Sequence, residues 1–267
     1  MKVMLFDIQR NSYVDGPGIR TTVFFKGCNL RCRWCHNPES QSPEKEILFY
    51  REKCTGCGRC RDLTAEDDDF LCFHDAKEIC GREYSTDAVM DILTRDRAYY
   101  DASGGGATFS GGECMLQPKA LSELLERCRA AGVHTAVDTA GDVPWERFER
   151  ILPWTDLFLY DVKCVTEDLH RAGTGVSNRR ILENLRRLSA SGAAIRIRVP
   201  VIPGFNADEA EMRRIAEFLA GIRHTGAELL PYHAMGEHKY AALGRESGSF
   251  AVPGKEEMEA YRALFTR

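Results

Sequence analysis

The sequence predicts an α/β fold, a partial (β/α)6 barrel carrying a small cysteine-rich insert. Three observations predict it. Helix and strand patterns alternate from residue 86 onward, six strands can be read, and each strand ends in a polar or metal-ligating residue. Repeated β-α-β units imply a parallel sheet with right-handed crossovers. Six strands are too few for a closed eight-stranded barrel. An open doubly wound sheet is the alternative.

The elements follow in order. Residues 1–10 form a short apolar patch broken by Asp7, and the first strand spans 20–26. Residues 86–96 place Val89, Ile92 and Leu93 at helical spacing. A strand at 107–110 runs into Gly111-Gly112, and 119–131 repeats Leu121, Leu124, Leu125 and Cys128 on one helix face, with Cys128 expected in the core. A strand at 134–139, a helix at 145–152 and a strand at 157–161 come next. Residues 179–191 form a helix with Ile181, Leu182, Leu185 and Leu188 inward, and 194–202 is a strand closed by Pro203-Gly204. Asn206 and Glu209 read as a capping pair for a helix carrying Met212, Ile215 and Leu219. The last strand is 228–230, and Pro253 precedes a C-terminal helix.

Cys28 follows the first strand, Glu113 the second and Asp138-Thr139 closes the third; Asp161 and Lys163 mark the fourth, Arg198 lies in the fifth and His233 follows the sixth. Polar residues end many strands, but six in register fit better with one mouth at the C-terminal strand ends, where such folds build active sites. Residues 44–85 interrupt the pattern. The organisation expected is a barrel of 1–43 and 86–267 with an insert at 44–85.

The 267 residues carry a net charge of −4 and 43% hydrophobic residues. That balance gives no broad attraction to nucleic acid or an anionic membrane. No apolar run reaches membrane-spanning length, and the N-terminal patch is too short and charged for a signal peptide. A cytoplasmic protein is expected. Of the eleven cysteines, the seven in two clusters, Cys28, Cys32 and Cys35 and then Cys54, Cys57, Cys60 and Cys72, then read as metal ligands rather than a disulfide framework.

Cys28, Cys32 and Cys35 stand in a Cys-x3-Cys-x2-Cys run with no fourth cysteine close behind. Three thiolates can hold three corners of a cubane iron–sulfur cluster and leave one iron open for chemistry. A zinc site is the rival, but His36 adjoins Cys35 and would strain a tetrahedral centre. Ser110-Gly-Gly-Glu113 follows a strand; its glycines permit close backbone approach to a ligand, and its carboxylate can accept from an ammonium group.

The three-cysteine run, with Trp34 before its last cysteine, resembles that of radical SAM enzymes, which bind S-adenosylmethionine (SAM) at the open iron and generate a 5′-deoxyadenosyl radical. Further segments resemble the activating enzymes of glycyl radical enzymes, the pyruvate formate-lyase activase group. They are Tyr13-Val-Asp-Gly-Pro-Gly-Ile-Arg20, Ala102-Ser-Gly-Gly-Gly106, His134-Thr-Ala-Val-Asp-Thr-Ala-Gly141, Tyr160-Asp-Val-Lys163, Gly175-Val-Ser-Asn178, Arg198-Val-Pro-Val-Ile-Pro-Gly204, Leu229-Leu-Pro-Tyr-His233 and Gly236-Glu-His-Lys239. The likeness covers nearly all of the chain outside residues 44–85. It implies that Gly111, Gly112 and Glu113 hold the methionyl amine. It also implies that Asp161, Val162, Lys163, Arg198 and His233 line the SAM site, with Trp34 and His36 flanking it. Asp138, Thr139 and Asp161 match positions for a monovalent cation beside the SAM carboxylate; pairing of the two aspartates with Lys163 or Arg198 is the plainer reading. Residues 15–18 would lie near the incoming glycine loop, or form a tight turn only.

Cys54-x2-Cys57-x2-Cys60 resembles the start of a bacterial ferredoxin motif, but no cysteine follows until Cys72. Cys54, Cys57, Cys60 and Cys72 are the expected ligands of a second, closed [4Fe–4S] cluster, with Cys80 an alternative to Cys72 and zinc an alternative metal. The activity implied is SAM cleavage and removal of a hydrogen from a backbone glycine of a partner glycyl radical enzyme, in an anaerobic setting. Reduced flavodoxin or ferredoxin is the implied electron donor. Rival readings are a radical SAM enzyme for a small molecule or another peptide, and a non-catalytic iron–sulfur or zinc protein.

Overall fold

The fold is that of a computed structural model, which describes residues 1–265. Its strands are β1 (Lys2–Ser12), β2 (Arg20–Phe25), β3 (Glu46–Phe49), β4 (Lys77–Cys80), β5 (Arg82–Ser85), β6 (Gly106–Gly111), β7 (His134–Thr139), β8 (Leu157–Asp161), β9 (Ile195–Val201) and β10 (Gly226–Pro231). The helices are α1 (Thr86–Arg95), α2 (Arg97–Ser103), α3 (Pro118–Ala130), α4 (Trp145–Ile151), α5 (Glu167–Thr174), α6 (Arg179–Ser191), α7 (Glu209–Ala220), α8 (Glu237–Ala242) and α9 (Lys255–Leu264).

The main sheet has eight strands in the order β10-β9-β8-β7-β6-β2-β1-β5. From β2 to β10 the six strands pair in parallel, and these are the six expected from the sequence. Their order never reverses. Right-handed crossovers that always step the same way leave every crossover helix on one face of the sheet. The other face is free to become the inside of an arc, which separates a partial barrel from a doubly wound sheet.

Sequence periodicity builds the outer layer. Leu121, Leu124, Leu125 and Cys128 of α3, Ile181, Leu185 and Leu188 of α6, and Met212 and Ile215 of α7 are all buried in the core cluster. They meet Ile195, Ile197, Val199 and Val201 of β9, while Arg196, Arg198 and Pro200 alternate with those four and are only half-buried. A strand period of two sends these two sets to opposite faces, so β9 turns its arginines to the concave face, which also carries the small apolar cluster of Ala136, Leu157 and Leu159.

Three local expectations change. The N-terminal patch is the long strand β1, antiparallel to β2, and a register shift between Leu5 and Asp7 resets its alternation. Residues 82–85, read with the insert from the sequence, join the main sheet as β5 by pairing with β1. The cap of α7 is Asp208, whose side chain accepts from Glu211 N–H; Asn206 instead bridges Lys163 O, Pro200 O and Ile202 N–H. The remaining insert is the antiparallel hairpin β3–β4, with the cysteine-bearing loop between its strands. Leu48, Tyr50 and Cys80 of the hairpin pack with Ala242 of α8. Among the described residues, no helix is long and apolar enough to cross a membrane.

Candidate active site

Cys28, Cys32 and Cys35 lie on the loop after β2, at the C-terminal end of the parallel strands. Gly27 N–H donates to Ser40 O (2.7 Å) and Cys28 N–H to Gln41 O (3.2 Å), which closes the loop on itself. Arg31 and Arg33 N–H donate to Thr174 O and Gly173 O at the end of α5. Asn29 Nδ2 reaches Asp142 O (2.6 Å), and Cys35 N–H donates to Cys32 O (3.1 Å) in a tight turn. The loop is therefore held on several sides by backbone contacts.

All three thiols are free. Burial pushes the Cys28 thiol up to about 12 and raises those of Cys32 and Cys35; Cys35 also raises Cys28, and Cys28 and Cys35 both raise Cys32. Donors oppose this. Leu30 N–H is aimed at the Cys28 sulfur, Asn37 N–H and the Gln41 side chain at the Cys35 sulfur, and the Lys163 ammonium lies near all three. Sulfurs supplied with N–H donors and a cation suit bound thiolates, with the protons displaced on metal binding. Among the described residues no three His, Cys, Asp or Glu side chains converge on one ion-sized point. A structural zinc takes four ligands, whereas a cubane anchors each sulfur on a separate iron and can leave one iron open, so three thiols fit a cluster better than a single zinc. Gln41 carried no sequence signal beyond its place behind the triplet.

The strand ends supply the rest. Asp161, the last residue of β8, pairs with Lys163 Nζ (2.9 Å) and Arg198 Nε (3.4 Å), and Arg198 Nη1 lies 3.4 Å from Asp138. Burial raises Asp138 to about 6, partly opposed by Arg198. Burial also works against ionised Asp161, but Lys163 and Arg198 hold its carboxyl below the usual value. Asp161 Oδ1 and Arg198 Nε, each other's ion-pair partner at 3.4 Å, make no hydrogen bond despite burial, so both keep hydrogen-bonding capacity for a ligand. Asp138 and Asp161 are thus countered by Arg198 and Lys163, the plainer of the two readings. Thr139 Oγ1 donates to Glu113 Oε2 (2.7 Å).

Glu113 departs from its expected contact. Its side chain is fully buried, Oε2 accepts from Thr139 Oγ1 and Ala140 N–H, and Oε1 accepts from Met115 N–H. The carboxylate clamps the end of β6 to the end of β7 rather than facing open space. The glycines before it also meet backbone: a Cβ on Gly112 would lie 2.2 Å from Gly27 O, and one on Gly111 would lie 2.3 Å from Phe25 N. What these residues leave for a ligand is their backbone.

Burial raises the Glu113 carboxyl from 4.5 to about 7. Below pH 4.5 both folded and unfolded chains hold the proton; between there and about 7 the unfolded chain releases it first, so stability falls as pH rises. Across that window wild type should lose about 3 kcal/mol more than Glu113→Gln. Denaturant titrations of the metal-free proteins in steps from acid to mildly alkaline pH measure it; parallel curves would refute the buried carboxyl.

Val162 is buried in the core and offers only backbone, its N–H donating to Arg198 O (2.9 Å). His36 and His233 meet edge to face with centroids 4.5 Å apart, and Trp34 packs on Phe205 at 4.1 Å. A cleft beside the cysteine loop is lined by Trp34, Cys35, His36, Tyr232, His233 and Gly236. Burial pushes His36 down to about 4, helped by Lys239 and the neighbouring histidines, so it is neutral near pH 7. Asn206, read from the sequence only as a cap, holds the Lys163 carbonyl at 2.6 Å and so fixes the segment that aims Lys163.

In the insert, Cys54 and Cys57 are exposed, Cys60 and Cys72 half-buried, and Cys80 buried. Backbone N–H groups of His74, Lys77 and Ala76 surround the Cys72 sulfur and lower its pKa. Burial instead pushes Cys80 up to about 12, on the strand side of the hairpin. Gly56 and Gly58, at φ +70° and +76°, give the Cys54–Cys60 loop the left-handed turns that its tight path needs.

The radical SAM superfamily model matches residues 22–218. The chain is 39% identical to the trans-4-hydroxy-L-proline dehydratase activating enzyme of Clostridioides difficile, covering 99% of this chain and 96% of that one. It is 41% identical to the isethionate sulfite-lyase activating enzyme of Nitratidesulfovibrio vulgaris, covering 91% and 88%. Among solved structures, a domain of the pyruvate-formate lyase-activating enzyme from Bacteroides vulgatus superposes with a TM-score of 0.53 at 34% identity, covering 61% of this chain and 93% of that one.

Proposed function

The chain belongs to the radical SAM superfamily and, within it, to the activating enzymes of glycyl radical enzymes, and from that premise we propose which residues carry the activity. The observation that carries the proposal is the loop of three free, mutually close thiols with donors aimed at their sulfurs. Cys28, Cys32 and Cys35 would hold a [4Fe–4S] cluster with one open iron. When bound and reduced, that cluster with SAM supplies the 5′-deoxyadenosyl radical that takes a hydrogen from a backbone glycine of the partner.

The chain's own part is placement. The strand-end backbone at Gly111, Gly112 and Glu113 would receive the methionyl amine. Lys163 and Arg198 would be the cations that meet the SAM carboxylate, with Asp161, backbone at Val162, and His233 completing the site. Trp34 and His36 would flank it and keep water from the open iron. A monovalent cation at Asp138, Thr139 and Asp161 would have to displace Arg198. The partner's glycine segment must leave its own fold to reach this mouth, an ordering step on binding. Electrons would come from reduced flavodoxin or ferredoxin.

Cys54, Cys57, Cys60 and Cys72 would hold the second cluster. The N–H groups around Cys72 favour it over Cys80. In that case Cys72→Ser lowers bound iron from about eight to about four per chain, while Cys80→Ser leaves it unchanged. The opposite ranking would transfer the role to Cys80, and a zinc content of one per chain would replace the cluster.

The activity is tested by adding dithionite and SAM anaerobically to the reconstituted protein with a candidate partner. The expected result is 5′-deoxyadenosine, methionine and a glycyl-radical doublet in the electron paramagnetic resonance spectrum. Cleavage without that doublet for every candidate would favour a small-molecule substrate, and no cleavage at verified iron content would remove both.

A further inference from the structure

Arg196 and Glu228 are charged groups on the concave face that the site above does not use; Glu228, on β10, is exposed and in register with Arg198. Arg196 lies two residues before Arg198 on β9, on the same face by strand parity. It is half-buried. Arg20 meets Thr108 and Ala107 O, Lys163 meets Asp161, and Arg198 meets both aspartates. Among the described residues, Arg196 has no acceptor within hydrogen-bonding or ion-pair distance. Its ladder neighbours are Leu159 on β8 and Gly226 on β10. Neither offers a side-chain acceptor, and a Cβ on Gly226 would meet nothing within 4 Å. The guanidinium therefore stands beside open space next to β10, the edge strand of the parallel sheet.

We propose that Arg196 is a binding residue for the partner's glycine-bearing segment, donating to main-chain carbonyl oxygens as that segment lies along the concave face. This rests on the activase reading above. A segment drawn out of its own fold loses its backbone hydrogen bonds and needs new partners. Arginine supplies five fixed donors and no acceptor, which suits a row of carbonyls. Two strand residues span about 7 Å, so a contact at Arg196 acts about two residues from the group that faces Arg198. SAM sits at the mouth, and Arg196 reads the chain leading to it.

The test uses short synthetic peptides centred on the radical-bearing glycine of trans-4-hydroxy-L-proline dehydratase and of isethionate sulfite-lyase. Peptide-stimulated release of 5′-deoxyadenosine is followed against peptide concentration. Arg196→Met should raise the peptide KM about ten-fold, as expected for a lost charge-assisted bond, with a smaller effect on kcat. Arg196→Lys keeps the charge and donors and should recover most of the loss, which controls for misfolding. An unmoved KM, a fall in kcat alone, or a penalty confined to peptides containing Asp or Glu would overturn the proposal. Wild-type enzyme that cleaves SAM but is stimulated by neither peptide would overturn it together with the partner reading, whereas an indifferent Arg196→Met in a stimulated enzyme overturns it alone.

Discussion

Cys32→Ala should reduce the release of 5′-deoxyadenosine to background, while Cys57→Ala should keep a measurable fraction. The difference follows from the two cysteine sets. The first has three thiols, and removing one leaves two anchors for a cluster that already lacks a fourth. Cys32 is also the thiol nearest in charge to Lys163: the ammonium is the largest effect opposing burial at this sulfur. Cys57 is exposed on the loop between β3 and β4, outside the three-cysteine loop. Its loss should lower total iron and slow electron delivery without unseating the first cluster. Anaerobic reconstitution, iron and sulfide analysis and chromatography of the cleaved nucleoside measure both variants. Turnover by Cys32→Ala equal to wild type would remove the three-cysteine loop as the reaction centre.

The parallel strands were legible because their signals are local. Ile195, Ile197, Val199 and Val201 alternate with polar residues, and α6 repeats leucine and isoleucine at helical spacing. What escaped lacks such periodicity. In α5 the inward residues are His170, Gly173 and Thr174, which give no apolar stripe. That face is small because Trp34 and Phe205 pack against it, and a Cβ on Gly173 would lie 2.4 Å from the Phe205 ring. The irregularity that resets β1 hides an eleven-residue strand behind a broken pattern. Asn206 stands where a helix cap would be sought, yet the chain spends its amide on two carbonyls and an N–H of neighbouring segments.

The site was legible by residue type and less so by contact. Cys28, Cys32, Cys35, Asp161, Lys163 and Arg198 stand out in the sequence as candidates because their chemistry is specific and they fall in or after predicted strands. Which atoms they meet depends on the sheet's register. Asp161 is paired in register with Arg198 on the neighbouring strand, a relation between distant parts of the chain. Arg196 carries no motif at all. Its interest comes from having nothing opposite it, which only three dimensions reveal.

Gly112→Ala should be among the most damaging substitutions outside the cysteines, and for a structural reason. A Cβ there would lie 2.2 Å from Gly27 O and 2.9 Å from Ser40 O. Both are backbone atoms, so no rotamer change relieves the clash. Glu113 N–H donates to Gly27 O at 2.9 Å and Gly27 N–H to Ser40 O at 2.7 Å, so the atoms displaced are those that fix the residue before Cys28. Moving Gly27 breaks that bond and tilts the cysteine loop away from the strand ends. The cost expected is above about 4 kcal/mol, in the range reserved for backbone collisions and core disruption. Thermal or denaturant unfolding of the metal-free variant measures it, followed by iron incorporation, which should fall in parallel. The metal-free state is the discriminating one, because no ligand is present to be lost. If Gly112→Ala melts like wild type without metal and fails only to bind SAM, the glycine serves the ligand and not the joint between β6 and the cysteine loop.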